Sequence, residues 1–156
     1  MTIRPLNPQS LEEIELVARR MRLTLVEVIS AEEGEKMYTM DWLIDRVRFH
    51  LDRTQCDGEV FLAQAEDGAI VGHTIVRIEN GEGYFSTFYV DPGARGQSIA
   101  MQFVKTGEGW MRERGMTVAR TNTAKNNIKL QNLLHKFGYE ITARSEQMVS
   151  LTRNIG

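Results

Sequence analysis

The most informative segment of the chain reads Val90-Asp91-Pro92-Gly93-Ala94-Arg95-Gly96-Gln97-Ser98-Ile99-Ala100. The run from Tyr84 to Val90 has the composition of a β-strand and ends at a Pro/Gly turn, after which a helix begins with small, non-acidic residues. The first N–H groups of a helix have no partner within it and lie at the positive end of the helix dipole. The segment therefore predicts a strand-to-helix corner that binds a phosphate group.

The composition is that of an ordinary soluble globular protein. The 156 residues are 42% hydrophobic and 26% charged, which suits one domain with a sizeable core. No apolar run approaches the roughly 20 residues of a membrane span, and the N-terminus lacks the apolar segment of a signal peptide, so we expect a cytoplasmic protein without a membrane partner.

The net charge of -2 disfavours nucleic acid as a partner. A single cysteine, Cys56, excludes an internal disulfide and disfavours a zinc site, and we expect no metal.

Hydrophobic periodicity and turn signals predict the element order β-α-α-β-β-β-α-β-α-β-β. We predict strands at 2–6, 59–65, 69–78, 84–90, 117–123, 139–143 and 147–152. We predict helices at 11–25 and 41–51, a third from the Pro/Gly corner to about 114, and a fourth from 126 or 127 to 137. Ser10 with Glu13 forms a capping-box pattern at the first helix. The residues predicted to face the core from the first three helices are Leu11, Ile14, Val17, Ala18, Met21, Leu25, Trp42, Leu43, Val47, Leu51, Ile99, Phe103, Trp110 and Met111. This order indicates an α/β domain with a mixed sheet.

The segment between Tyr89 and Tyr139 resembles the GNAT superfamily of acetyl-CoA-dependent N-acetyltransferases. That family carries Val-x-Pro after a strand, then Arg/Gln-x-x-Gly-x-Gly/Ala at a helix start; here the two motifs are Val90-Asp91-Pro92 and residues 95–100. Further on, the family has an Asn before a helix and an aromatic-Glu-Lys-Leu-Gly-Phe ending, and here Asn127 precedes the matching run Leu134-His135-Lys136-Phe137-Gly138-Tyr139. The resemblance implies one N-acetyltransferase-like domain over residues 1–156, of the α/β (α+β) class. Its sheet would be mixed and mostly antiparallel, with six to seven strands flanked by about four helices.

The resemblance also implies a function. The chain would move the acetyl group of acetyl-CoA, its co-substrate, to the primary amine of a small molecule or peptide by direct attack in a ternary complex. Amides of the corner would hold the CoA pyrophosphate, the end of the preceding strand would pair with the pantetheine arm, and Asn127 would donate a hydrogen bond to the same ligand. The implied acetyl-CoA contacts are Phe88, Tyr89, Val90, Arg95, Gly96, Gln97, Ser98, Ile99, Ala100 and Asn127.

The chain departs from the family pattern at three places. Ser86 and Thr87 stand on the strand where family members often carry a catalytic carboxylate, and Leu134 stands where many carry the tyrosine that protonates the thiolate. Ser98 replaces an expected glycine, and its hydroxyl can cap helix N–H groups or meet a phosphate oxygen. These departures concern the acid and base of the reaction more than acetyl-CoA binding.

His73, Glu82 and Tyr89 are therefore the catalytic candidates. Imidazole suits general-base chemistry near neutral pH, a glutamate beside the turn could take a proton through water, and a tyrosine could stabilise the thioester oxygen or the thiolate. Each also has a structural interpretation: His73 as a hydrogen-bonded histidine of the sheet, Glu82 as a solvated charge at the turn, and Tyr89 as a packed strand residue. A covalent acetyl-cysteine at Cys56 is disfavoured, because the neighbouring acid Asp57 would raise its pKa.

Three further expectations concern partners and alternatives. Acidic residues within 22–53 would attract a cationic amine, although a solvated helix face explains them equally well. An exposed edge strand near the C-terminus would permit a homodimer. The alternative functions are a catalytically impaired acyl-CoA-binding module that acts as a sensor or interaction domain, and an acyltransferase for another acyl chain.

Overall fold

A seven-stranded mixed sheet with the order β1-β2-β3-β4-β5-β7-β6 organises the chain. The computed structural model describes residues 1–28, 39–96 and 98–156, with the backbone alone for 25–28. The elements are β1 (Thr2–Pro5), α1 (Leu11–Val28), α2 (Met40–Leu51), β2 (Gly58–Gln64), β3 (Ile70–Glu79), β4 (Glu82–Val90), a 3₁₀-helix (Pro92–Ala94), α3 (Ile99–Glu113), β5 (Val118–Ala124), α4 (Ile128–Lys136), β6 (Glu140–Arg144) and β7 (Met148–Asn154). Every neighbouring pair of strands is antiparallel except β4 and β5, which run parallel. The predicted element order and mixed, mostly antiparallel sheet are confirmed.

The two faces of the sheet bury separate apolar clusters. Because side chains of a strand alternate between faces, β2 and β3 contribute to both. Helices α1 and α2 cover one cluster, formed by Leu6, Ile14, Val17, Ala18, Met21, Leu43, Val47, Val60, Leu62 and Ile75. Helices α3 and α4 cover the larger one, which includes Val76, Phe85, Ile99, Phe103, Trp110, Met111, Leu134 and Tyr139. The core residues predicted for α3 are all buried.

Two of the predicted core residues are exposed. Leu11 is 51% exposed because it lies in the first turn of α1, before Ile14 enters the apolar cluster. Trp42 is 46% exposed, since Leu43 takes the core-facing position and successive helix residues point about 100° apart. The side chain of Leu25 lies outside the described residues.

The capping box at α1 is formed only in part. Ser10 Oγ accepts from Glu13 N at 3.2 Å, as predicted. The Glu13 carboxylate does not reach back to Ser10, because it accepts from Arg4 Nη2 at 2.7 Å and from Asn7 N at 3.0 Å. The hydrogen bond from Arg4 lowers the pKa of Glu13. The side chain therefore ties β1 to the start of α1.

A buried carboxylate joins α3 to the C-terminal strands. Glu108 is 2% exposed and accepts from the Tyr139 hydroxyl at 2.6 Å and from Arg153 Nη1 at 2.7 Å. Arg112 Nη2 lies 3.5 Å from the same carboxylate. Burial and the bond to Glu108 raise the pKa of Tyr139. The charge is thus paired and hydrogen-bonded, as a buried charge must be.

Strands β4 and β5 pair over a short distance and then separate. Their register pairs are Gly83–Ala119, Tyr84–Arg120 and Phe85–Thr121. On the other side of β4, consecutive residues of β3 pair with Thr87 and Phe85, so Ser86 is the extra residue of a β-bulge. A bulge increases local twist and bends its strand. The bulge therefore lies where β4 leaves β5 and opens a gap between them.

Close packing of α3 on the sheet requires a glycine at position 107. A Cβ there would lie 2.3 Å from Phe85 Cε1 and 3.2 Å from Val76 Cγ1, whereas a Cβ at Gly109 meets nothing within 4 Å. We predict that Gly107→Ala lowers the free energy of unfolding by about 1–3 kcal/mol through overpacking. Gly109→Ala, the matched control, should raise it by up to about 1 kcal/mol through helix propensity. Urea denaturation measures both, and equal effects would contradict the packing argument.

Candidate functional site

The corner after β4 has the strand-to-helix geometry predicted from the sequence. β4 ends at Val90, Pro92–Ala94 forms a 3₁₀ turn, and α3 begins at Ile99. The Asp91 N–H donates to the Val71 carbonyl at 2.8 Å, which holds the turn against β3. Gln97, one of the predicted contacts, lies outside the described residues.

Backbone amides at the start of α3 are available to a ligand. The Gln102 N–H donates to the Ser98 carbonyl at 3.1 Å, which is the first hydrogen bond of the helix. The preceding amides, those of Ile99, Ala100 and Met101, have no carbonyl within the helix to bond. The first turn of α3 holds no acid, so its positive dipole end is not neutralised there. This end of the helix can accept an anionic group.

Ser98 differs from its expected role. Its backbone lies in the left-handed region, with φ 63° and ψ 19°, and its side chain makes no capping hydrogen bond. The capping role expected of the hydroxyl is therefore wrong, because the left-handed backbone turns the chain at the corner as a glycine would. A contact between the hydroxyl and a phosphate oxygen, the other expected role, stays a prediction. A non-glycine residue in this conformation costs roughly 1–2 kcal/mol.

The gap between β4 and β5 leads to this corner. Beyond the last register pair, where Thr121 Oγ1 donates to the Phe85 carbonyl at 3.0 Å, residues 86–90 have no partner on β5. Phe88, Tyr89 and Val90, three of the predicted contacts, lie along this stretch of β4. The edge of β4 therefore presents backbone groups to an extended ligand.

Asn127 lies across the gap, at the N-terminus of α4. Its Oδ1 accepts from Leu130 N at 3.3 Å, and its Nδ2 donates to Thr123 Oγ1 at 3.2 Å. Asn127 is thus the N-cap of α4. Leu134, further along this helix, is fully buried in the core, so no hydroxyl is present at that position.

His73 and Tyr89, two catalytic candidates, lie together on the face covered by α1. They are register partners on β3 and β4, and their rings stack with centroids 5.7 Å apart. His73 is fully buried, and neither ring nitrogen has a hydrogen-bond partner among the described residues. Burial, together with the nearby Arg20 guanidinium, lowers the pKa of His73 to about 3. The imidazole is therefore neutral at physiological pH.

Arg20 links α1 to the corner. Its Nη2 donates to Asp91 Oδ2 at 3.1 Å, and its guanidinium carbon lies 5.4 Å from the centroid of the Tyr89 ring. Burial and a hydrogen bond with Asp91 raise the pKa of Tyr89. Sequence reasoning missed this contact, because residues separated by 71 positions give no local signal.

Glu82, the third catalytic candidate, lies at the opposite end of β4 from Tyr89. Arg120 Nε donates to Glu82 Oε2 at 2.7 Å and Arg120 Nη2 donates to Oε1 at 3.3 Å. The structure therefore brings His73 and Tyr89 together and keeps Glu82 apart, in a bidentate ion pair across the β4–β5 ladder.

The described residues do not favour a cysteine nucleophile, a metal site or a membrane-spanning helix. Burial raises the pKa of the Cys56 thiol, which does not favour a nucleophilic thiolate. Among the described residues, no group of three His, Cys, Asp or Glu side chains could hold a metal ion. No helix in that part of the chain is long and apolar enough to cross a bilayer.

The strain at position 98 can be measured. We predict that Ser98→Gly raises the free energy of unfolding by about 0.5–1 kcal/mol, because relief of the left-handed strain exceeds the entropy cost of glycine. Ser98→Ala should give no such gain, since it keeps the Cβ. Thermal and urea unfolding of both variants test this, and equal stabilisation by Ala would contradict it.

The buried histidines predict acid sensitivity. Burial lowers the pKa of His73 to about 3 and that of His50 to about 4, whereas both titrate near 6.5 when unfolded. The unfolded chain binds these protons first, so their stabilising contribution is complete above pH 6.5 and is lost as the pH falls towards the folded values. Each histidine should contribute a slope of about 1.4 kcal/mol per pH unit near pH 5.

Urea unfolding between pH 7 and pH 4.5 measures this slope. His73→Leu should reduce the slope by the contribution of one histidine, about 1.4 kcal/mol per pH unit near pH 5. An unchanged slope in that variant would show that His73 does not titrate as its burial requires.

Comparison with known proteins agrees with this geometry. The Acetyltransferase (GNAT) family model matches residues 25–139. The fold is similar to that of PaiA N-acetyltransferase from Thermoplasma acidophilum in complex with coenzyme A, with a TM-score of 0.79 and 16% identity over 99% of each chain. An aminoglycoside 6'-N-acetyltransferase complexed with coenzyme A also gives a TM-score of 0.79, at 13% identity over 100% of this chain and 98% of that chain. Ard1 from Thermoplasma volcanium gives 0.72, at 22% identity over 98% and 96%.

No curated protein gives a significant sequence match. The family match nevertheless spans most of the chain, including β4, the corner and α4, and the matched folds extend over nearly all of it. The chain therefore belongs to the GNAT family of acetyltransferases.

Proposed function

We propose that the chain, as one domain over residues 1–156, moves the acetyl group of acetyl-CoA to a primary amine by direct attack in a ternary complex. The observation that carries this proposal is the gap between β4 and β5, which leads to the amides at the start of α3 that have no partner within the helix. Two of the similar structures contain coenzyme A. A strand edge and an anion site placed end to end suit a long ligand that has an amide-containing arm and a pyrophosphate.

The proposed acetyl-CoA contacts follow from this placement. Amides within residues 95–100 would bind the pyrophosphate, and the free edge of Phe88, Tyr89 and Val90 would pair with the pantetheine arm. Asn127 at the start of α4 would contact the same ligand, although its amide already caps that helix and donates to Thr123 Oγ1. Acetyl-CoA supplies the activated acyl group: the amine nitrogen bonds to the carbonyl carbon, the C–S bond breaks, and the thiolate leaves with the electron pair.

The three catalytic candidates differ in whether their polar groups are already hydrogen-bonded. Glu82 is occupied by Arg120, and the Tyr89 hydroxyl bonds Asp91. The ring nitrogens of His73 have no partner in the described part of the chain, but with a pKa of about 3 the imidazole is a weak base. We infer that positioning and desolvation of a neutral amine supply most of the rate, with His73 as the candidate proton acceptor.

A panel of amines tests the reaction itself. Release of CoA, measured with a thiol reagent, should depend on the amine added, and comparison of acyl-CoA thioesters should show a preference for acetyl. Tight acetyl-CoA binding without turnover on any amine would instead support a catalytically impaired acyl-CoA-binding module, which Thr87 and the buried Leu134 favour because neither offers the family's usual group. A preference for a longer acyl chain would support the other alternative.

Asn127 can be tested without loss of the helix cap. Asn127→Ser keeps an N-cap oxygen and should preserve stability, whereas Asn127→Ala should lose about 1 kcal/mol. If the Asn127 amide binds acetyl-CoA, both variants should raise its Kd several-fold, as measured by calorimetry. An unchanged Kd in Asn127→Ser would remove Asn127 from the proposed contacts.

The pH dependence of kcat/KM tests His73. Between pH 7 and pH 9 the imidazole is neutral, and if it accepts the proton, His73→Ala should lower kcat/KM by about 10²-fold or more across this range while circular dichroism shows an intact fold. If the rate instead rises up to the pKa of the amine, and His73→Ala keeps that profile, the free amine reacts without His73 and the histidine has a structural role.

A further inference from the structure

Arg20 of α1 contacts the junction between the free edge of β4 and the corner. Tyr89 and Asp91 lie two residues apart, at and just beyond the end of β4, so their side chains point to the same face of the sheet. Arg20 Nη2 donates to Asp91 Oδ2 at 3.1 Å, and the guanidinium carbon lies 5.4 Å from the centroid of the Tyr89 ring. Burial and a hydrogen bond to Asp91 raise the pKa of Tyr89, so its hydroxyl stays protonated and donates to the same carboxylate.

The Asp91 side chain is held by these distant partners instead of by its own turn. Asp91 is the N-cap of the 3₁₀ turn Pro92–Ala94, and a carboxylate at such a position usually accepts from N–H groups of the turn that it begins. Here the carboxylate makes no capping hydrogen bond. Only the Asp91 carbonyl bonds the turn, where it accepts from the Ala94 N–H at 2.9 Å. The orientation of the Asp91 carboxylate is therefore set from α1.

The backbone at this junction belongs to both parts of the proposed acetyl-CoA site. The Asp91 N–H donates to the Val71 carbonyl of β3. Because consecutive residues of a strand direct their backbone groups to opposite edges, those of Val90 face away from β3, towards the gap. The Val90 carbonyl also accepts from Arg95 Nε at 3.0 Å, and Arg95 is the first residue of the segment 95–100. A rotation at Asp91 would therefore move the free edge and the corner relative to each other.

The Arg20–Asp91 ion pair is poorly suited to stabilising the fold. The Arg20 side chain is only 14% exposed, and its Nη1 is buried without a hydrogen-bond partner among the described residues. An unsatisfied buried N–H costs free energy, and desolvation offsets much of what a buried ion pair gains. In the Arg4–Glu13 pair, which also joins α1 to a strand, all three guanidinium nitrogens of Arg4 are hydrogen-bonded. The pair at the corner thus calls for a role beyond stability.

We propose that Arg20 is a positioning residue for acetyl-CoA, which holds Asp91 and Tyr89 so that the free edge of β4 and the amides of residues 95–100 are aligned for one ligand before it binds. This rests on the proposed function. Arg20 acts through Asp91 and Tyr89 and not on the reacting atoms. Alignment in advance reduces the conformational entropy that is lost on binding, so its removal should weaken a donor that spans both parts of the site more than a donor that occupies one.

Steady-state kinetics of Arg20→Gln with two donors tests the proposal, with the best amine of the panel as acceptor. For acetyl-CoA, which spans the edge and the corner, KM should rise about ten-fold while kcat changes by less than about two-fold, because binding is lost and the chemical step is kept. For S-acetylpantetheine, which lacks the pyrophosphate, KM should rise by about two-fold at most. Arg20→Lys keeps a cation beside Asp91 and should raise KM for acetyl-CoA less than Arg20→Gln does.

Asp91→Asn removes the same ion pair from the other side and should give the same pattern with the two donors. If both residues act through their contact, Arg20→Gln combined with Asp91→Asn should raise KM for acetyl-CoA no further than the larger single effect. Multiplication of the two effects would contradict a shared role. Circular dichroism checks that each variant folds.

Arg4→Gln is the matched control, because it breaks an ion pair between α1 and β1 away from the corner. It should leave KM for acetyl-CoA unchanged. An equal rise in KM in this variant would mean that any loosening of α1 weakens binding, and would overturn the proposal. Wild-type KM in Arg20→Gln, or an equal rise for both donors, would do the same. A wild type that neither binds acetyl-CoA nor transfers its acetyl group would instead overturn the proposed function, so the two failures are distinguishable.

Discussion

The candidate site depends on one structural constraint, the separation of β4 from β5. Three register pairs hold the strands together, and the bulge at Ser86 turns β4 away. A sheet normally pairs every interior backbone group, so an open stretch in its middle is costly unless a ligand completes it. The same separation places the start of α3 and the N-cap of α4 on opposite sides of the opening. The proposed acetyl-CoA contacts depend on this one break in pairing.

The two faces of the sheet carry different kinds of side chain. The face under α3 and α4 is apolar, and packs so closely at Gly107 that even a methyl group would collide with Phe85. The face under α1 and α2 carries the polar groups: the stacked His73 and Tyr89 near the corner, and the Arg–Glu ion pairs of Glu79 and Glu82 near the β3–β4 turn. One face therefore fixes the geometry of the opening, and the other carries the charged and titratable side chains beside it.

Local signals made much of this predictable. Val90-Asp91-Pro92 and Gly96 specify a corner through their own backbone preferences, and the hairpins follow from strand periodicity and turn residues. Contacts between residues that are distant in the sequence were not predictable. The ion pair that engages Glu82 comes from Arg120 on a strand that is adjacent only after folding, and the burial that depresses the pKa of His73 depends on the whole layer above it. Ser98 could be read as a cap from its chemistry, but its left-handed backbone is imposed by the corner.

The buried Glu108 carboxylate has a consequence for how the chain must fold. Its two close partners, Tyr139 and Arg153, belong to the last part of the chain, and Arg112 Nε also donates to the Ile155 carbonyl at 2.7 Å. Until these C-terminal residues dock, the Glu108 carboxylate would keep only the 3.5 Å contact with Arg112 and would lack both of its close hydrogen bonds. Native packing of α3 is therefore coupled to completion of the chain, so a ribosome-bound chain that lacks its final strand cannot reach the native core, and loss of that strand would destabilise the whole sheet.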